Sequence, residues 1–338
     1  MARIVQGMER RQVTLFLAAI GLGALVGWAV PGIAPALSLT ITPVLGLVLF
    51  ATFLGVPLVA VGRSFRDLRF LGTVLTVNFA LVPVVVFGLS RFVAADRALL
   101  LGVLLVLLTP CVDYVIVFTG LAGGARERLL AATPLLMLLQ IVLLPGYLWL
   151  FAGPGAVALI EVRPFAEAFL LLIVLPLAAA AAVQLGGRHR RTARAAGTVQ
   201  TLMQALMVPL MMATLAVVVG SQIVAVGAAA VALLAVIPLY VAFLAIMVGV
   251  GLLAARLVRL DVPASRALVF SGATRNSLVV LPLALALPAP LGLAPLAVVT
   301  QTLVELVGMV ILVRLVPRLV PATGRAGVCP AGSGDRPG

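Results

Sequence analysis

Hydrophobic positions along this chain come in runs of about twenty residues, separated by short stretches that hold arginine, proline and glycine. Runs of that length match a helix crossing a hydrocarbon layer about 30 Å thick. They predict helices over Gln12–Val30, Leu37–Val61, Leu68–Phe92, Arg97–Ala122, Arg128–Phe151, Phe165–Leu185, Val199–Gly220, Gly227–Ala255, Ser265–Leu287 and Leu293–Val316. The stretch from Gln222 to Ala255 exceeds one crossing and predicts a tilted helix with a buried lead-in. Spans of a β-barrel alternate apolar and polar over about ten residues; no such segment is visible. The predicted fold class is an all-α polytopic membrane protein of ten transmembrane helices.

Composition points the same way. Of 338 residues, 64% are hydrophobic and 10% charged, against roughly a quarter charged in a soluble domain. Lipid is the only solvent for so much apolar surface. The net charge of +13 suggests nucleic acid until its placement is followed. All 23 basic residues are arginine, only Arg275 lies in mid-span, and no aromatic residues interleave with a basic patch. Nineteen of them fall in the N-terminus, the loops after spans 2, 4, 6 and 8, and the C-terminus, with Arg91, Arg97 and Arg163 on the other side. By the positive-inside rule this places both termini in the cytoplasm of a cell (inner) membrane protein. A signal peptide at the first run would leave nine spans and break the pairing described next.

The absence of lysine excludes P-loop and Schiff-base chemistry, and Cys111 and Cys329 are too few for a disulfide framework. His189, the only histidine, sits in an arginine-rich loop. GxSxG, HExxH and Asp-rich diphosphate motifs are missing, so no enzyme, no metal centre and no cofactor beyond a coupling ion is expected.

Ten spans divide into two sets of five, and an odd number per set makes the second insert upside down. The predicted units are 1–155 (spans 1–5), 160–318 (spans 6–10) and a disordered cytoplasmic tail over 319–338. Helices 4 and 9, each the fourth of its set, are broken: one by Thr109-Pro110-Cys111-Val112-Asp113, the other by Ser271-Gly272-Ala273-Thr274-Arg275-Asn276-Ser277. Thr109 and Thr274 are 165 positions apart, as are Gln140 and Glu305 in the fifth spans. Pro110 removes a helical donor, and lipid cannot satisfy the groups a break releases. Two facing breaks near the midplane would offer helix-end dipoles and open carbonyls to a solute or ion.

A charge at mid-bilayer is costly and marks a functional candidate. Asp113 and Arg275 are expected to meet where the breaks meet. Glu305 lies one turn beyond Gln301 on the same face, a pair suited to hold a cation or exchange a proton. Asn78, Gln140 and Gln204 read as interhelix glue, and Gly23-x-x-x-Gly27 as close helix packing. Cys111 reads either as a small hydrophobe or as a soft ligand beside Pro110.

Ten spans with broken helices 4 and 9 resemble the bile acid:sodium symporter superfamily. Thr109-Pro110-Cys111-Val112-Asp113-Tyr114-Val115 followed by Leu121-Ala122-Gly123-Gly124 is similar to the fourth-span signature of its arsenite-efflux permeases. The resemblance implies that Cys111 is the essential thiol. It departs in span 9, where the permeases have Ser-Asn-aromatic-aromatic-Glu and this chain has Arg275-Asn276-Ser277-Leu278-Val279, with valine in place of the acid. The resulting expectation is arsenite efflux by alternating access, driven by the proton gradient. Substrate contacts would come from Cys111, Arg275, Asn276 and Thr109, and ion coupling from Asp113, Glu305, Gln301 and Thr274, with H+ or Na+ as coupling ion. The alternative is a sodium-coupled importer of a small organic anion, paired by Arg275. The expected partners are a small-molecule or metalloid substrate and the lipid bilayer; nucleic acid is not among them, and the oligomeric state is left open.

Overall fold

The computed structural model describes residues 12–55, 67–112, 114–153, 167, 170–189 and 192–321. Asp113, Cys329 and the tail beyond 321 lie outside them; α-helix persists to Leu319, the first residue of the expected tail. The described residues are helical with no β-strand, and six helices are long and apolar enough to cross a membrane. In chain order they are α1 (Gln12–Ala29), α2 (Ala34–Gly55), α3 (Leu68–Thr76), α4 (Val82–Ser90), α5 (Arg97–Leu107), α6 (Tyr114–Leu121) and α7 (Arg126–Ala152). There follow α8 (Leu175–Gly186), α9 (Ala193–Ala228), α10 (Ala230–Leu234), α11 (Val236–Leu257), α12 (Val262–Ala273), α13 (Ser277–Leu285) and α14 (Leu293–Leu319).

Packing sorts these into two layers. Helices α1, α2, α8 and α9 pack on one another, while α3–α7 and α11–α14 form a larger body joined to them through α9–α14 and α13–α2 contacts. Without a hydrophobic drive between helices in lipid, close approach depends on small residues. Gly23 and Gly27 lie against α9: a Cβ on Gly27 would sit 2.1 Å from the Gly220 carbonyl oxygen, and one on Gly23 2.3 Å from that of Ala216. In the larger body α5 is central, buried at every position from Ala98 to Leu107. Outward-facing positions remain apolar, including Leu39, Val84, Phe92 and Val142. On a water-soluble protein so wide an apolar surface would aggregate or be covered; here it is the lipid-facing belt.

Two helices widen into a single π turn, Val77–Leu81 and Leu170–Val174, and each turn ends two residues before a proline, Pro83 and Pro176. Proline has no N–H to return to the preceding turn, and the ladder slips by one residue there. The Phe79 carbonyl, which position 83 would normally serve, instead accepts from the Tyr147 hydroxyl of α7 at 2.6 Å. Tyr147→Phe, which keeps the ring stacked on Phe151, is therefore expected to cost about 1 kcal/mol, read as a lowered Tm in detergent.

The lead-in to α11 departs from expectation. α9 continues to Ala228, past the expected end at Gly220, and α10 follows as a separate short helix. Rather than being buried, it exposes Val231 and Leu234 at 86% and 61%. An apolar lead-in satisfied by lipid has no need of protein cover, and hydropathy cannot tell the two apart.

The arginine-rich end of the larger body is held by a clasp. Asp67 and Asp261 cap the N-termini of α3 and α12 by accepting from Phe70 and Ala264 N–H, and Arg128 bridges both carboxylates at 3.2 and 2.8 Å. Arg266 donates to the Ala122 carbonyl at 2.9 Å and to that of Val320 at 2.8 Å. Gly123 adopts φ +67°, and a Cβ there would meet the Arg266 guanidinium at 2.7 Å. Gly123 thus shapes the turn that receives Arg266.

Candidate functional site

Both expected breaks are present, and they cross. α5 ends at Leu107 and α6 begins at Tyr114; α12 ends at Ala273 and α13 begins at Ser277. The second break is shorter than expected, because Ser271, Gly272 and Ala273 are still helical and only Thr274–Asn276 leave the helix. Pro110 and Arg275 form an antiparallel β-bridge. Asn276 N–H donates to the Thr109 carbonyl at 2.8 Å, and Cys111 N–H to that of Thr274 at 3.4 Å. Backbone groups that lipid could not satisfy are satisfied by the opposite break.

The two threonines play matching parts. Thr109 Oγ1 donates to the Leu105 carbonyl and Thr274 Oγ1 to that of Phe270, each at 2.8 Å and four residues back. Both hydroxyls close the last turn of a half-helix, as local back-bonding does, and 165 positions separate them. Cys111 is fully buried at the bridge. Among the described residues no group of three or more His, Cys, Asp or Glu gathers as a metal site.

Glu305 of α14 reaches into the second break. Its Oε2 accepts from Arg275 N–H at 2.8 Å and also from Gln301 Nε2, one turn back on the same helix. Val279, where the resemblance calls for an acid, is buried and donates its N–H to Asn276 Oδ1 at 3.2 Å. The carboxylate at the break is thus delivered from α14 rather than from α13. Around it, Asn276 Nδ2, Ser277 Oγ and Gln301 Oε1 are buried with no hydrogen-bond partner among the described residues. Buried polar atoms are normally satisfied by protein, water or ligand, and this flank of the crossing carries three that the described residues do not satisfy. Across the body, Gln140 Oε1 and Thr119 Oγ1 are in the same condition.

Arg275 is the largest fully buried side chain among the described residues. Its Nη2 donates to Asn78 Oδ1 at 2.9 Å and to the Ser271 and Gly272 carbonyls, each at 2.8 Å; Nη1 reaches the Leu107 carbonyl at 3.4 Å. The Phe243 ring lies 5.5 Å from its Cζ. The guanidinium therefore sits at the negative C-terminal ends of α5 and α12. Asp113, its expected companion, falls outside the described residues.

Asn78, expected as interhelix glue, makes that bond and also reaches Arg275. It is fully buried on the π turn and donates Nδ2 to the Val74 carbonyl and to Ser271 Oγ, each at 3.0 Å, which aims Oδ1 at Arg275. An amide five residues before a proline in an apolar span was the available signal, since π turns concentrate at functional positions.

Fold and site together define a multi-pass helical membrane protein with a hydrogen-bonded helix crossing inside it. The chain belongs to the sodium bile acid symporter family, whose model matches residues 42–219, a family of secondary transporters of small solutes. The matched segment includes Asn78 and the first break and stops short of Arg275 and Glu305. Among curated proteins, none matches the chain significantly.

Proposed function

We propose that this chain is a secondary active transporter working by alternating access, with ten spans arranged as two inverted sets of five, 1–155 and 160–318, and a crossing of helices 4 and 9 at its centre. The observation that carries the reading is the backbone bridge between Pro110 and Arg275. Irregular backbone at membrane depth is tolerated where it is buried or lines a polar cavity, and transporters place substrate and ion sites at such points.

The solute we place first is arsenite, exported with protons as the driving ion. Cys111 supplies a soft sulfur at the bridge, suited to a thiophilic metalloid. Thr109 and Asn276, whose backbones pair beside it, frame the same point. Glu305, with Gln301 and Thr274 around it, is the group that takes up and releases the proton. As(OH)3 is neutral near pH 7, so export against a gradient requires such a driver. Cys111→Ser is expected to abolish arsenite resistance in a sensitised host while leaving the protein in the membrane; undiminished resistance would remove the thiol from the mechanism.

The second reading, sodium-coupled import of a small organic anion, is favoured by the matched family and by the N-termini of α6 and α13, which both begin at the crossing and attract negative charge. It ranks lower because the Arg275 guanidinium is engaged by Asn78 and by carbonyls of α5 and α12. Uptake of arsenite and of organic anions into everted vesicles, under imposed proton or sodium gradients, separates the two.

A further inference from the structure

The acceptors around Arg275 have the chemistry of a cation site. Among the described residues, three elements contribute oxygens to it: Asn78 Oδ1 from the π turn, the Ser271 and Gly272 carbonyls from the end of α12, and the Leu107 carbonyl from the end of α5. Carbonyl and amide oxygens are what replace the water of a hard monovalent ion, and half-helix C-termini add negative potential at the same point. Their placement is fixed from outside the arginine. The Asn78 amide is oriented by its bonds to Val74 and Ser271, and the α12 carbonyls by the helix that carries them.

We propose that the Arg275 guanidinium is a tethered cation, permanently filling a monovalent-cation site at the paired C-termini of α5 and α12. Its backbone anchors it as firmly as its side chain, through the bridge to Pro110 and the bond from its N–H to Glu305. A cation that cannot leave cannot carry a gradient. The crossing therefore keeps its positive charge at every stage of the cycle, and coupling falls to another group, for which Glu305, bonded to the Arg275 N–H, is placed. This extends the transporter reading by taking one candidate ion position out of the coupling step. Its test reads ion binding and does not require the chain to transport anything.

The experiment is thermal unfolding of purified protein in detergent, with sodium chloride, potassium chloride or N-methylglucamine chloride at equal ionic strength. Wild type is expected to melt at one temperature in all three. Arg275→Ala, which empties the site and leaves its oxygens in place, is expected to melt lower and to regain about 2–4 °C with sodium or potassium over N-methylglucamine. Methylguanidinium at low concentration is expected to do the same. Adding Asn78→Ala should erase the cation response. Arg275→Lys, which keeps the charge, should stay insensitive, and Arg275→Gln offers a bulkier neutral variant if alanine does not fold. A folded neutral variant that responds to none of these cations overturns the proposal. So does failure of both neutral variants to fold in high sodium while lysine folds, since an open cation site would then have been filled. Loss of transport in an otherwise cation-responsive variant bears on the carrier mechanism and leaves the site standing.

Discussion

Glu305→Gln is expected to yield a folded protein that exchanges solute across the membrane but no longer concentrates it. The amide oxygen of glutamine can still accept the Arg275 N–H that Glu305 Oε2 now accepts at 2.8 Å, so the crossing keeps its geometry. What disappears is a buried carboxylate able to change charge, flanked by the unpartnered polar atoms of Asn276, Ser277 and Gln301. Uphill uptake into everted vesicles under an imposed proton gradient should fall to the level of empty vesicles, while counterflow of preloaded solute persists. Retained uphill transport would take coupling away from this residue. Glu305→Ala is the harsher variant: it strands a buried backbone donor, at about 1–3 kcal/mol, and its loss of transport would mix folding with mechanism.

Gly27→Ala should destabilise the smaller layer far more than its single methyl suggests. The added Cβ would lie 2.1 Å from a backbone oxygen and 2.8 Å from a backbone carbon of Gly220, neither of which can rotate away. Helices α1 and α9 must separate, and overpacking of this kind costs about 3 kcal/mol. Gly21→Ala, earlier in the same helix, meets nothing within 4 Å and should gain about 0.5–1 kcal/mol from helix propensity alone. Melting curves in one detergent compare the pair; equal Tm values would mean that the two helices do not approach as closely as described.

The breaks could be read from the chain because their cause is local. Pro110 cannot continue a helix, and Thr274, Arg275 and Asn276 interrupt an otherwise apolar run. The shared spacing of 165 also marked Thr109 and Thr274 as counterparts, and their hydroxyls do make matching bonds. Close packing at Gly23 and Gly27 was legible for the same reason, since few residues permit it.

What stayed hidden depends on direction. Arg275 looked like a ligand for a solute anion because a charged residue at a break invites one; only the fold shows its guanidinium turned back along α12 toward Asn78. Asn78 was legible as interhelix glue, and its bond to Ser271 joins two helices, but one amide in an apolar span does not show where its oxygen is aimed. The exposed α10 and the buried α5 are alike in composition. Lipid and protein interior are both apolar, so periodicity does not separate the faces of a helix here as it does in water.

Antiparallel pairing at Pro110 and Arg275 also constrains how many residues each interruption can hold. Side chains along extended backbone alternate between two faces, so a slip of one position exchanges them. A residue inserted between Thr109 and Cys111, or beside Arg275, would turn the guanidinium away from Asn78 or bring a neighbour round in its place. In the turn at Gly187–His189, an insertion would only lengthen a surface connection. Interruptions usually count as the permissive parts of a chain; in this molecule they are the stretches whose length is least free to vary.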